Sequence, residues 1–327
     1  MECVQQSAFG LAVVAACAVF VLMENAFIRP PYLAFAPLQG YTDCVYRQAH
    51  CEAAGGVDEY YTPFVRLEGG EPRRKDLRDI DAERNHGVPT VPQVIARDRE
   101  EFARLCDAVQ TAGWRRVDLN MGCPFPMQVK AGRGSGLLAD VERVAAIGEE
   151  MRQRREVRFT VKMRLGQEEE EECLRLVPIL NEMLLEHVTM HPRLGKQQYK
   201  GEPDREAFGL FVEACGQPVV YNGDLLSAED VSAVMRRWPM LKGVMMGRGL
   251  LARPWMFSGR EPFAVVREMH AKIYDHAVSA LQGDSQILAR LHAFWEYQTD
   301  LLDKKQYKAI MKSGSLRKYR EAIAALG

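Results

Sequence analysis

From Tyr32 onward, short apolar runs alternate along the chain with longer stretches whose apolar residues recur at helical spacing. The short runs are rich in β-branched and aromatic residues and read as strands: YLAFAP from Tyr32, EYYTPF from Glu59, TVPQVI from Thr90, RVDLNM from Arg116, RFTVKM from Arg158, HVTMH from His187, PVVYN from Pro218 and LKGVMM from Leu241. Helical stretches lie between them, among them Glu100 to Ala112, Val141 to Arg154, Leu174 to Leu185, Ala207 to Cys215 and Ala228 to Arg237. Such alternation predicts a parallel sheet covered by helices. Eight units in about 230 residues fit a closed eight-stranded parallel β/α (TIM) barrel over residues 32–257 better than an open doubly wound sheet of five or six strands. After RPWMF, which ends at Phe257, the strand pattern stops. Residues 258–327 keep only helical periodicity, with Phe294, Trp295, Tyr297 and Tyr307 along it, and read as a small C-terminal helical domain.

Residues 1–31 stand apart from this pattern. Ala8 to Met23 is an unbroken run of sixteen apolar or glycine residues, short of the roughly 20 that span a bilayer. A secretory signal would begin with basic residues, yet Glu2 is acidic and the first basic residue is Arg29. A single anchor, a buried helix and residues upstream of a native start at Met23 remain as readings. We favour the last, because the patterned domain begins so soon after it.

Composition narrows the class. The 327 residues are 47% hydrophobic and 27% charged with a net charge of -1, values of a globular protein with no overall basic field, so any nucleic-acid surface must be local. Eight cysteines are scattered without a C-x-x-C pair or a cysteine-histidine cluster, which argues against a zinc site and a disulfide scaffold. Reduced thiols in a cytoplasmic protein are the simplest reading. The acidic run Gln167 to Glu172 reads as the solvated first turn of a helix, where carboxylates favour the positive end of the dipole.

In a β/α barrel, side chains at the C-terminal strand ends face one common mouth. Those positions hold Pro37, Leu38 and Gln39 after the first strand, Gln93 in the third, and Asn120 and Cys123 after the fourth. The fifth strand supplies Lys162 and Arg164, the sixth His191 and Arg193, the seventh Asn222, Gly223 and Asp224, and the eighth Gly247 and Arg248. Each has a plain structural reading: Lys162 and Arg164 share one strand face and require water, an anion or a neighbouring carboxylate, His191 alone reads as a buried structural histidine, and Asn222 to Asp224 as a turn. The segment MGRG, Met246 to Gly249, is more telling, because glycine beside a helix start lets backbone amides approach a phosphate. Together with NGDL it occupies the phosphate position common to many barrels. A phosphorylated cofactor held there, with Lys162 and Gln93 facing its ring, describes a flavin mononucleotide (FMN) site.

Taken in order, APLQGYTD, NMGCPFPMQVKAGRGSGLL, VKMRLG, HPRLGKQQYKG, VVYNGDL and VMMGRGLLARPWMF resemble the tRNA-dihydrouridine synthases, over about Leu33 to Phe257, with a looser match in the helical tail. The resemblance implies an enzyme that reduces the C5–C6 bond of selected tRNA uridines through FMN, with NADPH as reductant. By motif position, Pro37 to Gln39, Gln93, Lys162, Asn222 to Asp224, Gly247 and Arg248 would hold FMN, His191 would lie beside it, Asn120 and Arg164 would seat the uracil, and Cys123 would be the catalytic acid. Gln39, Pro192 and Leu194 depart from the residues usual in the family at those positions. Hydride delivery to uracil C6 leaves enolate-like charge that a proton at C5 must quench. A thiol of reference pKa near 8.5 is protonated at neutral pH and suits that task.

The glycines at 132, 134 and 136 read as a loop able to order over bound RNA. In the tail, Lys304, Lys305, Lys308, Lys312, Arg317 and Lys318 stand in a stretch with a single acid, Asp303, and read as contacts to the tRNA backbone beside the D-loop. Two rivals compete: an FMN barrel acting on a free pyrimidine, which leaves the basic tail unexplained, and an RNA-binding protein without catalysis, which leaves Cys123, Lys162 and His191 unexplained.

Overall fold

The structure is a computed structural model that describes residues 31–326. The apolar run at 8–23 and the proposed start at Met23 lie outside the described residues. In chain order the strands are β1 (Tyr32–Phe35), β2 (Glu59–Tyr61), a small antiparallel hairpin of β3 (Leu67–Glu68) and β4 (Glu71–Pro72), then β5 (Thr90–Val91), β6 (Gln93–Val94), β7 (Arg116–Met121), β8 (Arg158–Gly166), β9 (Leu185–Leu194), β10 (Val219–Tyr221) and β11 (Gly243–Met246). Apart from the hairpin they form one nine-stranded parallel sheet in the order β5-β2-β1-β11-β10-β9-β8-β7-β6. Its two edges, β5 and β6, are separated in sequence by Pro92 alone, so the sheet is nearly closed on itself.

Pro92 divides the segment because proline has no N–H to offer a ladder. On one side Tyr60 and Tyr61 pair with Thr90 and Val91, and on the other Gln93 and Val94 pair with Asp118 and Leu119. The gap is bridged by a side chain and by one isolated backbone bridge: the Gln93 amide donates to Thr62 Oγ1 at 3.0 Å, and Val65 pairs with Val94. The sequence pattern anticipates one strand here, and the structure shows it interrupted.

Two apolar layers follow from the alternation of strand residues. Ala34, Ala36, Tyr61, Val91, Val220 and Met245 form a small cluster inside the barrel. A far larger cluster lies between the sheet and the surrounding helices, and it extends without a break into the C-terminal helices through Val265, Met269, Leu291, Trp295 and Tyr319. Those helices span Pro262–Ala280, Asp284–Trp295, Lys304–Met311 and Leu316–Ala324. Tyr41 after β1 reaches them, its hydroxyl donating to Glu296 at 2.8 Å and its ring meeting Tyr297 edge-on. The tail is thereby held beside the mouth of the barrel.

The helix predicted from Leu174 begins at Glu171, and its acidic start is solvent-exposed from Glu168 to Glu171 as expected, with Glu172 the exception. Glu172 is buried, and its carboxylate accepts from the amides of Gln167, Glu168 and Glu169 at 2.8, 2.9 and 3.0 Å. It ties down the loop after β8. Among the described residues no helix is long and apolar enough to cross a membrane.

Candidate active site

The C-terminal strand ends surround a cleft of ≈ 630 Å³. Pro37, Leu38, Gln39, Gln93, Asn120, Cys123, Lys162, Arg164, His191 and Arg248 line it. A smaller pocket of ≈ 70 Å³ shares the walls formed by Lys162, His191 and Arg248 and adds Asn222, Gly223, Asp224 and Gly247. Of the strand-end residues singled out by sequence, all but the buried Arg193 line these two joined cavities. Tyr199, Phe125, Met127, Arg66 and Arg73 line the cleft as well and were not anticipated; they lie on loops or on the five-residue helix Pro126–Lys130, where period-based reading has no hold.

A one-way chain of hydrogen bonds runs beneath Cys123. Buried Asp118 accepts from Thr160 Oγ1 and from Gln93 Nε2, both at 2.6 Å. Since a carboxylate only accepts, Gln93 must turn its nitrogen inward and its oxygen toward Asn120. Gln93 Oε1 then accepts from Asn120 Nδ2 at 2.7 Å, which leaves Asn120 Oδ1 to accept from the amides of Gly122 and Cys123 at 3.0 and 2.8 Å. One carboxylate thus fixes the orientation of two amides and of the cysteine loop. Burial pushes Asp118 up to about 6 against the pull of Thr160, Gln93 and Lys162, so it is ionised at neutral pH. Asp118 shares a strand face with Asn120, and that i, i+2 relation was the available signal for it.

The thiol of Cys123 is pushed up by burial, opposed by the Phe125 backbone, Arg164 and Lys162. It rests as a neutral thiol. Beneath it the glycine run is packed rather than open: Ser135 donates from both N and Oγ to the Cys123 carbonyl at 3.1 Å, and a Cβ on Gly134, whose φ is +59°, would stand 2.5 Å from that oxygen.

Cations dominate the opposite wall. Burial, reinforced by Arg164, brings Lys162 down to about 8, and Arg164 falls to about 10 for the same first cause. Arg164 is pinned by the carbonyls of Gly122, Leu194 and Gln198 at 2.9, 2.9 and 2.7 Å. Tyr199 lies between two guanidinium groups, with Arg164 5.4 Å and Arg248 5.0 Å from its ring centre. Burial holds His191 well below its usual value and therefore neutral. Its Nε2 lies 3.1 Å from Arg193 Nη1, and because a guanidinium only donates, the imidazole proton is on Nδ1.

At the small pocket Asp224 acts as a hub. It pairs with buried Arg193 and with Arg248 Nη2, the latter at 2.6 Å. Burial alone would raise its pKa, but the two arginines outweigh that and hold it lowered. Its carboxylate orients Arg248 instead of leaving acidic charge free beside an anion. Asn222 is fixed by its Nδ2 donating to the Met245 carbonyl at 2.8 Å.

The six tail cations Lys304, Lys305, Lys308, Lys312, Arg317 and Lys318 are all exposed. Their first helix ends at Met311, and Lys312 is its C-terminal cap. Arg317 is paired with Glu321 at 2.6 Å.

A family profile described as dihydrouridine synthase (Dus) matches residues 34–325. The chain is 28% identical over 284 residues to a tRNA-dihydrouridine synthase B of Pseudomonas putida, covering 82% of each chain. It is 30% identical over 233 residues to a tRNA-dihydrouridine(16) synthase of Aquipseudomonas alcaligenes, covering 68% of this chain and 72% of that one. Among solved structures it is similar to a morphinone reductase, with TM-score 0.48 and 10% identity over 72% of this chain and 88% of that one.

Proposed function

Because the chain belongs to the tRNA-dihydrouridine synthase family, we propose that it is an FMN-dependent oxidoreductase that reduces the C5–C6 bond of D-loop uridines in tRNA to 5,6-dihydrouridine, with NADPH as electron source. Counting residues 90–94 as one strand interrupted at Pro92 makes the sheet the eight-stranded TIM barrel expected of such an enzyme. Residues 32–257 are then the catalytic domain, 258–327 the tRNA-binding domain, and the cytoplasm the place of action.

The residues fit the cofactor by their own chemistry. At Gly223 a side-chain carbon would come within 2.9 Å of the Tyr221 hydroxyl, and at Gly249 within 2.1 Å of the Leu225 carbonyl, so the backbone forms this wall only as glycine. Arg248, held by Asp224, supplies positive charge there, as a phosphate requires. Pro37, Leu38, Gln39, Gln93, Lys162, His191, Asn222, Gly223, Asp224, Gly247 and Arg248 would hold FMN. When bound, FMN supplies the hydride that goes to uracil C6.

This chain's residues do the rest. Arg164, immobilised by three carbonyls, and Asn120 hold the uracil and oppose the charge that develops on it. Cys123 gives its Sγ proton to C5. The thiolate left behind faces Arg164 and Lys162, both of which lower the cost of its charge, and it regains a proton from solvent. The exposed lysines and arginines of the tail meet tRNA phosphates.

The observation that carries this reading is a neutral thiol, amide-locked by Asn120, in the same cleft as Lys162, Arg164 and His191. The experiment is a position-mapped mass-spectrometric count of dihydrouridine in tRNA from cells lacking the gene, complemented with wild type or Cys123→Ala. Wild type restores dihydrouridine at a D-loop position, and Cys123→Ala falls short by about 10²–10⁴ in rate, the range of a lost general acid. Dihydrouridine unchanged at every position in deletion cells without a redundant homologue would overturn the reading in favour of a small-molecule flavoenzyme.

A further inference from the structure

The short helix Pro126–Lys130 forms a ridge between the cleft and a second, shallower groove. On the cleft side it carries Phe125 and Met127, which are 65% and 70% exposed and project beside Cys123. On the other side Lys130 faces a groove of ≈ 570 Å³ that also holds Arg97, Arg143 and a single carboxylate, Asp98. The groove is tight at its centre, since a Cβ on Gly132 would lie 2.9 Å from Arg143 Nη1 and 3.8 Å from Arg97 Cβ. Arg97 is paired with Asp98 at 3.0 Å and with Glu101 at 3.3 Å, and Arg143 with Asp140 at 3.1 Å, which leaves Lys130 as the cation of the groove without an ion pair among the described residues.

Exposing a phenylalanine and a methionine side by side forfeits apolar burial that the fold could have used. Their backbone is nonetheless fixed: Pro126 sets the first helical residue, and the Phe125 carbonyl accepts from the amides of Gln128 and Val129 at 2.8 and 3.0 Å. Two apolar side chains are therefore presented on a rigid turn, at the rim of a cleft that takes a planar base. An aromatic platform next to a cationic track is the pairing that holds single-stranded nucleic acid, with bases on the ring and phosphates on the cations.

Resting on the proposed function, we infer that this ridge is a second tRNA contact surface, separate from the helical tail. Phe125 and Met127 stack against the nucleobase next to the uridine drawn into the cleft, filling the place it leaves. Lys130, with Arg97 and Arg143, holds the phosphates of the same strand where it descends into the groove. A base leaves its stack at a cost of a few kcal/mol, and an apolar surface that replaces the lost neighbour lowers that cost.

The test uses the purified full chain with bound FMN and tRNA transcripts. Phe125→Ala lowers kcat/KM for tRNA about tenfold or more, the effect of removing one base-stacking partner, while flavin content, melting temperature and Cys123 alkylation rate stay at wild-type values. Phe125→Trp retains activity and Phe125→Leu does not, which separates stacking from plain apolar contact. Lys130→Gln with Arg143→Gln makes tRNA affinity less salt-dependent, by roughly one unit of slope per phosphate contact. Wild-type turnover in Phe125→Ala, or in Phe125→Leu, overturns the inference. So does a wild-type dimer that Phe125→Ala dissociates, because the patch would then be a contact between copies. A wild-type enzyme that leaves all tRNA unmodified overturns the proposed function itself, and that is read before any variant.

Discussion

His187 and His191 lie four residues apart on β9, at opposite ends of the barrel interior, and burial keeps both neutral. Around His187 the hydrogen bonds close on one another. Lys242 donates to Nδ1 at 3.0 Å, so Nε2 keeps its proton for the Tyr61 hydroxyl, also at 3.0 Å. Tyr61 meets Tyr32 at 3.1 Å, Tyr32 donates to Glu59 at 2.6 Å, and Arg116 sits between Glu59 and Glu186. Three cations, Arg116, Arg158 and Lys242, are matched by three carboxylates, Glu59, Glu186 and Asp58. Around His191 four cations, Lys162, Arg164, Arg193 and Arg248, answer only to Asp118 and Asp224. The same sheet makes a sealed floor at one end and a cationic surplus at the other, and charge balance is what distinguishes them. An unmatched surplus held in a cleft is suited to a ligand that brings negative charge.

If the two ends are independent, disturbing the floor costs stability and leaves chemistry alone. Arg116→Met leaves Glu59 and Glu186 without their shared partner and destabilises the protein by about 3 kcal/mol. Chemical denaturation measures this, with turnover per folded molecule unchanged; a parallel fall in turnover would break the comparison. Asp118→Ala strikes the other end. It leaves the buried Gln93 amide and Thr160 hydroxyl without their acceptor, a loss of about 2 kcal/mol, and it also removes the constraint on Asn120. Turnover falls, and the alkylation rate of Cys123 changes even without FMN.

The smallest effect is one of pH. The ammonium of Lys162 titrates at about 8 in the folded protein against 10.5 for the free side chain. Between those values the unfolded chain binds more protons, so this group makes the cofactor-free protein more stable as pH rises, by under about 1 kcal/mol between roughly pH 8 and 9. Over the same range the cation is lost from the cleft and FMN affinity falls. Denaturation and flavin titration at several pH values read these opposite trends, and Lys162→Met abolishes both.

The periodic parts of this molecule were legible in the sequence, and the reason is burial. Ala228–Arg237 has the predicted bounds because one apolar helix face and the capping box of Ser227 with Asp230 specify them locally. Each predicted strand has a counterpart because alternation marks the two faces of a barrel wall. The hairpin Leu67–Pro72 and the helix Arg74–Asp79 were not anticipated, since two-residue strands and a six-residue helix with no buried residue leave no periodic trace. In the site, residue types and strand positions were readable, whereas pairings were not. Nothing local tells Asp224 that Arg193, 31 residues away, will grip both of its oxygens, or that Tyr199 will lie beside both Arg164 and Arg248. Those relations exist only once β8 to β11 stand side by side.

Pro92 has a consequence for how the barrel comes apart. A continuous ring of ladder bonds offers no preferred point of rupture, whereas this one has a seam where a threonine hydroxyl replaces a rung. Local opening begins there, so the amides of Val91, Gln93 and Val94 exchange with deuterium sooner than those of β8 and β9 on the far side. Gln93 sits at that seam and is also the second link of the chain that ends at the Cys123 amide. The weakest joint in the wall and the setting of the thiol are therefore one mechanical unit, and a ligand that grips Gln93 acts as a rivet across it.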